Sequence, residues 1–106
     1  MKSDNINNFY KGWFIGHFKD AMLDSLNFEA GVKYFKSGES NPPHVHKRHK
    51  EINFVFSGKV SFNDIVFLPG SIVIVEEGEC SNFICIEDCC VLVLRDGSDP
   101  NDKYEC

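Results

Sequence analysis

The stretch GESNPPHVHKRHKEINFVFSG, Gly38 to Gly58, sets two histidines one residue apart and a glutamate five residues after the second. On a strand, alternate residues share a face and each residue advances about 3.3 Å, so His44 and His46 point the same way. The turn KRHK returns the chain, and Glu51 begins the next strand, within reach of both imidazoles. The spacing therefore predicts either a metal site on a β-hairpin or a polar turn that resembles one.

Two imidazoles and one carboxylate suit several divalent metals, namely iron, manganese, nickel, zinc and cobalt. Protons compete for imidazole near pH 6.5, so metal affinity is expected to fall in acid. Two closely spaced histidines alone are weak grounds for a metal site, because surface strands carry histidines freely. His49 lies in the basic turn, where it is a solvent-facing residue, an accessory ligand or a catalytic base, and His17 is interpreted as a packed or surface residue.

Length and charge limit the possible classes of protein. A chain of 106 residues is one domain with one core, and a net charge of -5 is not typical of a nucleic-acid binder. The one dense basic stretch, residues 47–50, is a solvated turn or a lip that draws an anionic ligand towards the histidines. The polar start and the lack of a long apolar segment predict a cytoplasmic protein with no membrane association.

Short strands with turn residues between them account for most of the chain, and no stretch keeps a helical period. This pattern predicts an all-β domain with a closed or double-sheet architecture. We divide it into an N-terminal arm with a short strand (1–26), a barrel (27–96) and a polar C-terminal tail (97–106). In NFEAGVKYFK the alternation places apolar residues on one strand face and charged residues on the other; the apolar set is Phe28, Ala30, Val32 and Tyr34, and the charged set is Glu29 and Lys33.

The full spacing of the opening stretch resembles the first motif of the cupin superfamily. Its five positions are Gly38, His44, His46, Glu51 and Gly58. The resemblance implies a small jelly-roll barrel, the double-stranded β-helix. It also implies that the two histidines and the glutamate face the barrel interior and hold a divalent metal.

The second cupin motif matches poorly, although Gly70 and Gly78 occupy its two glycine positions. Ser81 stands where the motif has a fourth metal ligand, a histidine, and a neutral hydroxyl is a poor substitute. Three arrangements stay open. The first motif holds the metal with water, a neighbour such as Cys80 or Asn82 completes the site, or the site is empty in the cell. The five cysteines are odd in number and show no CxxC spacing, so reduced thiols are expected as the default, with Cys80 singled out as a candidate ligand.

Cupins include enzymes and binding domains, so the fold leaves the function open. One hypothesis is a metal-dependent isomerase or epimerase for a small, oxygen-rich, sugar-like ligand in carbohydrate metabolism, with the metal as a Lewis acid and His49 within reach as the base. The alternative is a non-catalytic binding or regulatory module without metal. A homodimer is expected, in which the aromatic N-terminal arm packs across the interface or covers its own barrel.

Overall fold

The computed structural model describes residues 1–106 and consists mainly of β-strands, as the sequence predicts. Two short 3-10 helices, Ile6–Asn8 and Tyr10–Gly12, precede the strands. The strands are β1 (Trp13–Ile15), β2 (Glu29–Phe35), β3 (His44–Val45), β4 (Glu51–Phe62), β5 (Ile65–Phe67), β6 (Ile72–Val75), β7 (Cys80–Ser81), β8 (Phe83–Arg95) and β9 (Tyr104–Glu105). Neither helix is long or apolar enough to cross a membrane.

Two antiparallel sheets make up the fold. The larger has the order β1-β2-β8-β4-β5, with β6 also paired to β4, and the smaller has the order β7-β3-β9. The long strands β4 and β8 pair along most of their length, with register shifts near Gly58. Gly58 has a φ of +82°, and a Cβ there would lie 2.2 Å from the Asp88 carbonyl oxygen. The last glycine of the motif is therefore required by a close approach of the two strands.

The apolar core lies between these strands and is built largely from valine and phenylalanine. Val55 and Val60 on β4 are fully buried, and the Phe62 and Phe83 rings lie 5.2 Å apart. Cys85 and Cys89 are free and buried in this core, and burial raises the pKa of the Cys89 thiol to about 12. These two cysteines remain reduced thiols, as expected for the chain as a whole.

Strand β2 alternates as predicted, but its charged face is the inner one. Gly31 and Lys33 pair with Val93 and Val91, which are buried, whereas Tyr34 is 65% exposed. The side chain of Trp13 lies against Gly31, where a Cβ would come within 2.8 Å of the indole ring. The barrel interior is therefore partly polar, which an assignment of apolar residues to the inside does not anticipate.

Both ends of the chain add a strand to the sheets. β1 pairs with β2, and Phe9 and Trp13 of the N-terminal arm line the cavity of their own barrel. The tail is not a free extension, because β9 pairs with β3 and Asp102 is 1% exposed. The N-terminal arm thus covers the barrel, and the C-terminal segment supports β3.

Candidate metal centre

His44, His46 and Glu51 come together where the two sheets meet. His44 lies on β3 of the smaller sheet, His46 follows it, and Glu51 begins β4 of the larger sheet. One potential ligand atom of each residue lies within 4.8 Å of those of the other two, and all three residues are less than 9% exposed. The spacing predicts that these three residues meet, and they do. The predicted β-hairpin is wrong, because β3 pairs with β7 and β9 in the smaller sheet and not with β4.

Backbone carbonyls fix the tautomers of both histidines. His44 Nδ1 lies 3.0 Å from the carbonyl oxygen of Pro42, and His46 Nδ1 lies 2.5 Å from that of Asp102. Because a carbonyl oxygen only accepts, each Nδ1 carries the hydrogen and donates it. Each Nε2 therefore keeps its lone pair, which is the form of imidazole that binds a metal. Burial also lowers the pKa of His44, which favours its neutral ring.

The Nε2 atom of His46 is buried and has no hydrogen-bond partner. The nearest carboxylate oxygen, Glu51 Oε2, is 3.4 Å away and does not meet hydrogen-bond geometry. A buried nitrogen lone pair without a donor costs free energy, on the order of 1–3 kcal/mol. A cation bound between the two imidazoles and the carboxylate would remove that cost, so the three residues fit a divalent metal.

Arg95 pairs with the candidate ligand Glu51 and with a second buried carboxylate, Glu29. The three occupy register positions on the adjacent strands β2, β8 and β4, with Arg95 in the middle. Arg95 Nε and Nη2 lie 3.0 and 2.9 Å from Glu51 Oε2, and Nη1 lies 2.5 Å from Glu29 Oε1. Burial opposes ionisation of Glu51, but the charge and the hydrogen bonds of Arg95 act against it, and the pKa of Glu51 is lowered to about 2. We call these three residues the Glu29–Arg95–Glu51 row.

A cavity of about 740 Å³ opens beside the cluster, and His44, Glu51 and Asn53 line it. Its other walls include the aromatic residues Trp13, Phe35, Phe62 and Phe83. A space of this volume with a few polar groups on an apolar wall is typical of a small-molecule site. The cavity is large enough for a sugar-sized ligand next to a metal.

Asp102 supports the centre from the C-terminal segment. Besides its carbonyl bond to His46, its carboxylate accepts hydrogen bonds from the backbone N–H groups of Lys47 and Arg48, at 2.9 and 3.0 Å. Burial opposes ionisation of Asp102, but these two donors outweigh it and lower its pKa. The carboxylate therefore holds the turn that follows His46 while the carbonyl orients the ring. No sequence motif indicates this role.

No protein-family model matches the chain, and no curated protein matches it either. Solved structures do match. An uncharacterised conserved protein with a double-stranded β-helix domain from Klebsiella pneumoniae has a TM-score of 0.69 at 19% identity, over 79% of this chain and 74% of that one. An RmlC-like cupin from Shewanella frigidimarina has a TM-score of 0.64 at 16% identity, over 73% and 72%. The chain has the cupin fold.

A third match shows the fold inside a longer protein. The DMSP lyase DddQ from Ruegeria pomeroyi has a TM-score of 0.71 at 21% identity, and it covers 88% of this chain but 49% of that one. These identities establish the cupin fold and leave the activity to be argued from the site.

The two candidate fourth ligands, Ser81 of the second motif and its neighbour Cys80, differ in where the structure places them. Cys80 forms a disulfide with Cys106, so in this form it offers no thiolate to a metal, and the prediction of a Cys80 ligand is wrong. The expectation of reduced thiols is wrong for the same two residues. Ser81 is 3% exposed, pairs with His44 across β7 and β3, and lines the cavity. It therefore remains beside the centre, and its role as a weak ligand stays a prediction.

The basic turn, residues 47–50, faces away from the cavity, since none of its residues lines it. His49 lies 3.5 Å from an Asp96 carboxylate oxygen and packs against Gly97, so it is not placed to act as a base in the cavity. The cationic neighbours of His49 make contacts outside the cavity. The Lys47 ammonium lies over the Tyr104 ring, and Arg48 and Lys50 form ion pairs with Asp99 and Glu76. The predicted basic lip is therefore not found at the mouth of the cavity.

Proposed function

We propose that this cupin holds a divalent metal through His44, His46 and Glu51 and binds a small, oxygen-rich ligand beside it. The observation that carries the proposal is the buried, unpartnered Nε2 of His46, together with tautomers that leave a lone pair on the Nε2 of both imidazoles. Iron, manganese, nickel, zinc and cobalt all accept such a donor set, so the identity of the metal is left to measurement.

We propose isomerisation or epimerisation of a sugar-like ligand as the reaction. A bound metal would supply Lewis-acid polarisation of a carbonyl oxygen. The chain itself contributes Asn53, 3% exposed, whose Nδ2 donates to Glu51 Oε1 at 3.2 Å and keeps the carboxylate oriented. The aromatic walls of the cavity offer an apolar surface to the carbon skeleton of such a ligand. That a cupin barrel can serve a lyase, as in the Ruegeria pomeroyi protein, supports a catalytic role.

Replacing His46 with alanine tests the metal site. We expect chelator-treated wild-type protein to bind one equivalent of Co²⁺. The H46A variant should lose at least about 100-fold in Co²⁺ affinity, because removing a direct metal ligand should cost at least as much affinity as removing a hydrogen bond that orients a ligand. Calorimetric titration measures the affinity, and elemental analysis of protein purified without added metal identifies the natural ion.

The matched control is His17→Ala. His17 is a surface histidine whose Nδ1 lies 3.0 Å from Asp24, so its loss should leave Co²⁺ binding unchanged. Equal affinity of H46A and wild type would contradict the proposed metal site.

A non-catalytic binding module is the second candidate. What favours it is Ser81, which faces His44 where a fourth nitrogen ligand would complete the site, and the position of His49 outside the cavity. Failure of the wild type to bind Co²⁺, with ligand binding retained in H46A, would favour this module over the metal-dependent enzyme.

Assembly and location remain predictions. A homodimer is supported by exposed apolar side chains on and next to β5 and β6, which are Ile65, Val66, Leu68, Ile72 and Ile74. Light scattering at micromolar concentration tests it, and a monomer would contradict it. A cytoplasmic location is harder to reconcile with the disulfide between Cys80 and Cys106, because reducing compartments keep most thiols unpaired.

A further inference from the structure

The cavity wall is rich in basic side chains although the protein is acidic. Four basic side chains and two carboxylates line it: Lys11, Lys33, Arg95 and Lys103, with Glu39 and Glu51. The whole chain carries a net charge of -5. Positive charge is therefore concentrated in the one large space where a ligand would bind, and this favours an anion there.

None of the three lysines that line the cavity forms an ion pair, and Lys33 is the one among them that is half-buried, whereas Lys11 and Lys103 are exposed. Arg95 is neutralised by the two carboxylates of the Glu29–Arg95–Glu51 row. Lys33 forms no ion pair, and its ammonium lies 4.2 Å from the centre of the Trp13 ring. The same ring lies 4.9 Å from the Arg95 guanidinium carbon, so the indole is flanked by two cations.

The position of Lys33 disfavours its own charge. Burial lowers its pKa to about 8, and the nearby cations Arg95, Lys11 and Lys103 add to the effect against the opposing influence of Glu51. An ammonium held on a cavity wall without a counter-ion destabilises the native protein, and a bound anion would relieve this. Lys33 therefore has the character of an anion-binding group that lowers the stability of the ligand-free protein.

We propose that the cavity binds a small polyhydroxylated anion, with its carboxylate or phosphate group against Lys33 and its hydroxyl or carbonyl oxygens towards His44, His46 and Glu51. The second contact rests on the proposed metal site, whereas the first does not. Lys33 on β2 and the ligands His44 and Glu51 line the same cavity, so one molecule can face both. The Trp13 ring beside Lys33 offers an apolar surface to the carbon chain of the ligand.

Three acyclic six-carbon compounds test this proposal: sorbitol, gluconate and sorbitol 6-phosphate. Titrations into Co²⁺-loaded protein, followed by calorimetry, should show at least about tenfold tighter binding of one or both anions than of neutral sorbitol, because charge complementarity favours the anions. Gluconate and sorbitol 6-phosphate separate a carboxylate from a phosphate preference. In Lys33→Met the preference for the anions should disappear, and in Lys33→Arg it should persist.

Co²⁺ absorbance is recorded in the same samples, so that failure of the metal site and failure of the anion site are distinguished. Lys36→Met, the removal of an exposed lysine just beyond β2, should leave both readouts unchanged. Lys33→Met should also melt a few degrees higher than wild type at pH 7, since it removes the unpaired ammonium. Wild-type protein that binds sorbitol as tightly as both anions would overturn the proposal, and so would an anion preference that survives in Lys33→Met.

Discussion

Replacing Arg95 with methionine is expected to lower the free energy of unfolding by about 3–5 kcal/mol at pH 7, because it leaves two buried carboxylates without their cation. Glu29 and Glu51 are each 7% exposed, so water cannot replace the guanidinium. A loss of this size is a large share of the stability of a small domain. Urea denaturation followed by circular dichroism measures it.

The effect of R95M should depend on pH. The pKa of Glu51 is about 2 in the folded protein, below its ordinary value of 4.5, so its ionised form stabilises the fold fully above pH 4.5. This contribution is lost as the pH falls towards 2, and the difference between wild type and R95M should narrow over the same range. Urea denaturation series at pH 7 and at about pH 3, inside the range where the contribution is lost, would test this.

Arg48→Met is the matched control for R95M. Arg48 is also paired with acidic groups, but its side chain is 59% exposed, and an exposed pair contributes about 0–1 kcal/mol. If R95M loses no more stability than R48M, the Glu29–Arg95–Glu51 row does not stabilise the fold.

Removal of the disulfide should weaken both the fold and the metal site. Cys80 and Cys106 are 26 residues apart in sequence. A disulfide that closes a loop of that length restricts the unfolded chain and so stabilises the folded protein by about 3 kcal/mol. The bond also ties β9 beside β3, next to the Asp102 carbonyl that orients His46. We therefore expect the double variant Cys80→Ser/Cys106→Ser to lose about 3 kcal/mol of stability and about tenfold in Co²⁺ affinity.

Changing both cysteines avoids a free Cys80 thiol that could itself bind cobalt. Cys90→Ser removes a free thiol on β8 and should bind Co²⁺ as wild type does. An unchanged cobalt affinity in the double variant would show that Asp102 holds its position without the disulfide.

The metal cluster could be predicted from the sequence because its spacing is local. His44, His46 and Glu51 lie within eight residues of one another, so the sequence places all three beside a single turn. That the two strands flanking this turn lie in different sheets could not be predicted in the same way. The all-β class follows equally well from short strands separated by turn residues. These predictions need no knowledge of which distant strands pair.

The supporting residues could not be predicted because they depend on pairing between distant segments. Arg95 reaches Glu29 and Glu51 only through the register of β2, β8 and β4. Asp102 and the disulfide depend on where the tail crosses β3, and five cysteines leave the pairing undetermined. Nor does the sequence indicate which face of β2 points into the barrel, because a lysine such as Lys33 in an alternating strand ordinarily marks the face exposed to solvent.

The pairing of β3 with both β7 and β9 has a consequence for folding. His44 lies opposite Ser81 and Glu105, so the segment that carries the histidines acquires its neighbours only when far-separated parts of the chain meet. Such contacts are slow to form, because loop closure must precede any gain from them. The three ligands should therefore converge late, after β4 and β8 have joined. A metal ion would then bind a nearly complete domain and slow its unfolding, without acting as the nucleus from which the domain folds.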